Sequence, residues 1–94
     1  MNSEQWKYEY SENLLDILKK IKKKKPVQYE IIRKKINNIK EKTPSNPDHF
    51  KNLQHDLSDF KRVHIDIHFV LTFKVDKKNK VVRFEDYDHH DNIY

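Results

Sequence analysis

Six histidines lie in a chain of 94 residues, and all six fall in its second half: His49, His55, His64, His68, His89 and His90. Imidazole titrates near neutrality, so it can take a proton and return it at physiological pH. Arg62 stands two residues before His64, and Arg83 follows further on. A guanidinium stays charged and matches phosphate oxygens with its fork of N–H donors. Tyr94 ends the sequence and adds a phenol. Proton carriers beside fixed cations suit chemistry on a phosphate.

Composition removes several other chemistries. Glycine is absent, which excludes the phosphate-cradling loops that need it at fixed places. Cysteine is absent as well, and with it disulfides, thiol nucleophiles and thiolate metal sites. The histidines show no helical zinc-enzyme spacing, and no acid stands where it completes a set with His64, His68, His89 and His90, so no metal is expected. No cofactor is expected either. The net charge is +5 and the sequence pI about 9.3, which favours nucleic acid or an acidic protein as partner. Residues 1–42 hold 12 Lys and Arg against 6 acids, whereas residues 43–94 hold 8 against 9. The first half reads as an electrostatic footprint and the second as the place for chemistry. The longest apolar stretch, Phe69-Val70-Leu71, falls far short of the roughly 20 residues of a membrane span. With no basic, apolar leader at Met1-Asn2-Ser3-Glu4-Gln5, a cytoplasmic protein is expected.

The elements that must position these side chains follow from periodicity. Trp6, Tyr8 and Tyr10 alternate with Lys7 and Glu9 and read as a first strand, with the aromatics in the core. Ser11 can cap a helix carrying Leu14, Leu15, Leu18 and Ile21 at helical spacing. The run from Lys22 to Lys25 ends it, and Pro26 suits the first turn of a second helix striped by Ile32, Ile36 and Ile39. Thr43-Pro44 stops that helix, and residues 43–53 form a loop in which His49 is an ordinary residue, as is His55 just beyond it. The period then becomes two, giving strands over 58–65, 68–75 and 80–87. Asp76-Lys77-Lys78-Asn79 is the hairpin turn, with Asn79 taking the left-handed conformation.

The order β-α-α-β-β-β gives one α+β domain over residues 1–94, a small antiparallel sheet packed on an N-terminal two-helix hairpin. One sheet face is left to solvent or a ligand. If Val63 and Ile65 face the helices, Lys61 falls with them, and Phe60, Arg62 and His64 stand on the open face. The same parity puts Arg83 there, opposite Val82 and Phe84.

The element order, Phe60-Lys61-Arg62-Val63-His64-Ile65, Phe69-Val70-Leu71-Thr72-Phe73-Lys74-Val75 and the ending His89-His90-Asp91-Asn92-Ile93-Tyr94 resemble the RelE/ParE toxin superfamily. The His-Ile pair and the spacing of His90 to Tyr94 look most like its YafQ-type members. The chain departs from the family in three places. Arg-x-x-His-Ile is not present in that spacing, Asp66-Ile67-His68-Phe69 stands where the wider family has Gly-Asp-Tyr-Arg, and His68 occupies a position often held by an acid.

The resemblance implies a toxin that cleaves mRNA on the ribosome without metal, by attack of a ribose 2′-OH on the adjacent phosphate, and that a cognate antitoxin silences. In that frame His64 is the general base and His90 the acid, with His89 as alternate. Arg62 and Arg83 stabilise the phosphate, Lys51, Lys61 and His68 hold RNA, and Tyr94 stacks on a base or orients the phosphate. The run Lys19–Lys25 reads as a solvated helix end, as a grip on rRNA, or as both at once. Two other functions share the fold: a ParE-like inhibitor of DNA gyrase, which needs no base, acid and arginines on one face, and an inactive RNA-binding relic.

Overall fold

A computed structural model describes residues 5–50 and 60–89. Its elements run β1 (Lys7–Tyr10), α1 (Glu12–Lys24), α2 (Pro26–Lys42), β2 (Phe60–His64), β3 (Phe69–Asp76) and β4 (Val81–His89). The α+β class and the order of elements are those read from the sequence.

Ser11 starts α1 in extended conformation, its Oγ accepting from the Leu14 backbone N–H at 3.0 Å. Three lysines fill the last turn of α1, where the helix dipole favours positive charge. The Lys25 N–H closes the helix on the Ile21 carbonyl, and Pro26 begins α2 where its missing donor costs nothing. Thr43 ends α2 buried, its Oγ1 donating to the Ile39 carbonyl at 2.7 Å.

The strands are ordered β1-β4-β3-β2. The pairs β2–β3 and β3–β4 are antiparallel, but β1 runs parallel to β4, so the sheet is mixed rather than wholly antiparallel. A strand followed by a two-helix excursion can return alongside the last strand in either sense, and local pattern does not select one. In the β3–β4 ladder, Thr72 faces Asp86 while Phe73 faces Phe84, leaving Glu85 as the extra residue of a bulge. In the β3–β4 turn the left-handed residue is Lys80, with φ 57°, and not Asn79. Asn79 instead braces the turn, donating to the Asp76 carboxylate from its backbone N–H at 3.0 Å and its side-chain amide at 2.8 Å.

Between helices and sheet, Leu14, Ile32, Ile39, Leu71, Phe73, Val82 and Phe84 are fully buried. Each such side chain contributes about 1.5–3 kcal/mol by leaving water. Phe84 stacks on Tyr10 at 5.2 Å and meets Phe73 at 5.9 Å, and Phe50 packs edge-on against Phe73 at 5.6 Å. Trp6, Tyr8 and Tyr10 pack against this core, as their alternation implied. No helix among the described residues is long and apolar enough to cross a membrane.

Candidate nucleic-acid interface

The side chains of β2 alternate as expected. Lys61 and Val63 share the face of Phe73 and Leu71, while Phe60, Arg62 and His64 take the other, opposite Lys74, Thr72 and Val70. Because β2 is an edge strand among those described, that second face is reached both from its front and from its side. His64 is exposed and Arg62 half-buried. The centre of the face is less open than the sequence suggested, since Val70 and Thr72 are both buried.

The register divides this face into rows. His64, Val70 and Asp88 lie in one; Arg62 and Thr72 in the next; Phe60, Lys74, Arg83 and Glu9 in a third. Arg62 is therefore about 7 Å along the strand from His64, whereas the row of Arg83 is about 13 Å along and two strands, about 10 Å, across. Arg83 shares the face with His64 but not its neighbourhood.

Carboxylates hold Arg83. Its Nε donates to Glu85 at 3.0 Å, and its Nη1 to Glu9 at 3.5 Å. Strand alternation sets the first of these contacts, because residues two apart on β4 share a face. Lys74 places its Nζ over the Phe60 ring at 4.8 Å. Arg83, Lys74 and Glu9 line a hollow of about 720 Å³, with the β3–β4 turn as its end wall. Phe60 and Lys74 were not singled out as site residues from sequence, although the same parity that marked Arg62 marks both.

At the other end of the face, Asp66 shapes the β2–β3 turn. One carboxylate oxygen accepts from the backbone N–H groups of His68 at 2.8 Å and Phe69 at 3.0 Å. These donors, the His68 N–H foremost, hold the Asp66 pKa below the ordinary aspartate range. The turn thus needs no glycine. It also brings His68 against His89, ring centres 5.7 Å apart and nearly parallel, with Phe69 edge-on to His89 at 5.6 Å. His89 lies opposite Phe69, on the parity of Tyr87, so the register separates it from His64 and gives it His68 as a neighbour instead.

Lys61 differs most from expectation. Only 7% exposed, it points beneath the sheet, where its Nζ donates to the Phe50 carbonyl at 3.2 Å and stands 3.8 Å from Asp48. Burial pushes its pKa down, the nearby Asp48 only partly opposing this. A lysine so placed ties the loop after α2 to β2 and is not positioned to hold RNA. Its strand parity already put it on the core side; its charge was the misleading signal. Lys51, His90 and Tyr94 lie outside the described residues. Among the described residues, no group of three or more His, Asp or Glu side chains is gathered as a metal site.

No protein-family model matches the chain. It is 49% identical over 89 residues to a Methanocaldococcus jannaschii protein named "Putative toxin RelE4", covering 95% of this chain and 90% of that one. Among solved structures it is similar to YafQ from Escherichia coli, with a TM-score of 0.71, 18% identity, and 96% and 99% of the two chains covered. It is also similar to the archaeal RelE–RelB complex from Pyrococcus horikoshii, with a TM-score of 0.64, 14% identity, and 89% and 93% covered. The structural likenesses establish the fold. With the sequence identity to the archaeal relative over almost the whole chain, they establish that this protein is a RelE-like member of the RelE/ParE toxin superfamily, a toxin of a toxin–antitoxin system.

Proposed function

We propose that this toxin is a ribosome-dependent endoribonuclease that cuts mRNA without a metal ion and so stops translation in the cytoplasm. The observation that carries the reading is the placement of Arg62 and His64 two residues apart on the sheet face turned away from the helices, with His64 exposed. In the reaction His64 takes the proton of a ribose 2′-OH, and the oxygen attacks the adjacent phosphorus. The bond from phosphorus to the 5′ oxygen breaks, and His90 gives that oxygen a proton. The products are a 2′,3′-cyclic phosphate and a 5′-OH. Arg62 supplies positive charge as the phosphate becomes more negative, and Tyr94 stacks on a base. A gyrase inhibitor on the same fold needs no such juxtaposition.

The partner that silences the toxin is an acidic, amphipathic antitoxin segment. The solved relative from Pyrococcus is a complex of RelE with RelB. On this chain a groove of about 500 Å³ runs between α1 and α2, with Leu18, Ile32 and Ile36 in its lining. Every charged group lining it is a cation: Lys19, Lys22, Arg33 and Lys40. Apolar floor and basic rim together fit such a segment.

Primer extension on a defined transcript, in a purified translation reaction with and without ribosomes, tests the activity. Cuts that need ribosomes support it. A folded, toxic protein that makes no cuts points to gyrase, and a protein neither cutting nor toxic is a relic.

A further inference from the structure

The hollow beside the β3–β4 turn is lined by four cations, Lys74, Lys77, Lys78 and Arg83, and two carboxylates, Glu9 and Asp76. Not all of these face a ligand equally. Both oxygens of Asp76 are engaged by Asn79 within the turn, and Lys77 is paired with Asp48 at 3.2 Å. Arg83 uses only Nε and Nη1 on its two glutamates, which leaves Nη2 outside both bonds. The Glu9 contact, at 3.5 Å between half-exposed side chains, is the weaker one and is readily exchanged for a stronger anion. Lys74 stands beside Arg83 in the ladder, its Nζ over the Phe60 ring. A cation pair next to an aromatic ring is what one nucleotide of a single strand asks for, phosphate on the first and base on the second.

This row lies about 13 Å along the strands from that of His64, too far for one phosphate to span both. We propose that Arg83 and Lys74, with Phe60 beside them, form a subsite for an RNA backbone phosphate flanking the one that reacts. The subsite rests on the reading that RNA crosses this face to His64. It gives Arg83 a role in holding and registering the strand, while Arg62 serves the reacting phosphate. Glu9 occupies the subsite when RNA is absent and yields on binding.

The test uses the full-length toxin with ribosomes carrying a short mRNA, and a set of such RNAs in which single linkages are replaced by neutral methylphosphonates. Arg83→Gln and Lys74→Gln are expected to raise KM about tenfold and leave kcat nearly unchanged, the loss being one charge-assisted contact. Glu9→Gln is expected to lower KM. One flanking methylphosphonate should raise KM for the wild type and add nothing in Arg83→Gln. A fall in kcat at unchanged KM in Arg83→Gln overturns the proposal, as does a methylphosphonate penalty at every linkage undiminished in that variant. If the wild type cuts no RNA, the nuclease reading fails by itself. Fluorescence anisotropy of the same labelled oligonucleotides then decides the subsite: a flanking-linkage sensitivity lost in Arg83→Gln supports it, and equal binding by wild type and Arg83→Gln overturns it. Circular dichroism and thermal midpoints confirm that each variant is folded.

Discussion

Ser11 donates a 2.6 Å hydrogen bond from its Oγ to the backbone carbonyl of Glu85, the extra residue of the β4 bulge. The same oxygen accepts from the Leu14 N–H, and the Ser11 N–H donates to the Phe84 carbonyl at 2.9 Å. One small side chain therefore begins α1 and anchors it to the strand that carries Arg83. Glu85 takes Ser11 on its carbonyl and Arg83 on its carboxylate, so the helix cap and the candidate RNA face meet at one residue.

Ser11→Ala removes both the cap and the tie. It is expected to lower unfolding free energy by about 1–2 kcal/mol, read from urea denaturation. An unchanged midpoint contradicts this account of the α1–β4 junction.

Phe84 is the ring on which Tyr10 and Phe73 both pack. Phe84→Ala leaves a void that rigid strand neighbours cannot close. A loss of about 3–5 kcal/mol is expected, and calorimetry shows whether the loss is smaller than that.

Lys61 makes stability depend on pH in an uncommon sense. Its folded pKa lies below the ordinary lysine value of 10.5, so the unfolded chain binds the proton more tightly. The cost of burying the charged amine is present at neutral pH. It is relieved as pH rises from the lowered value towards 10.5. Urea midpoints of the wild type should therefore gain on those of Lys61→Met across that alkaline window. A constant difference at all pH values means that Lys61 bears no buried charge.

Asp66 acts in the opposite sense. Its folded pKa is lowered, so its contribution is complete above the ordinary aspartate value of 3.8 and is lost as pH falls through the lowered one. Asp66→Asn should be less stable than wild type near neutrality and converge with it in acid. Parallel acid-unfolding curves, without convergence, contradict the role given to its backbone contacts.

Several of these features can be traced in the sequence and others cannot. The stripe Ile32, Ile36, Ile39 and the cap at Ser11 are local patterns, and the fold uses them as written. Period two told Arg62 and His64 from Lys61 and Val63 because alternation needs no knowledge of a partner strand. The parallel pairing of β1 with β4 depends on residues more than 70 positions apart, which no local spacing encodes. The bulge at Glu85 resets the parity of β4, so Tyr87 turns inward and His89 lies opposite Phe69. That is why a histidine that counted as a companion of His64 stands beside His68. Lys80 adopts the left-handed turn position although asparagine tolerates it better, and Asn79 instead holds Asp76.

In the function we propose, His64 removes the proton that starts RNA cleavage. The direct measurement is the single-turnover cleavage rate of ribosome-bound mRNA at saturating toxin, for wild type and His64→Ala. A true base gives a loss on the order of 10²–10⁴-fold with ribosome binding unchanged. A His64→Ala toxin that cuts at a near-native rate contradicts the claim.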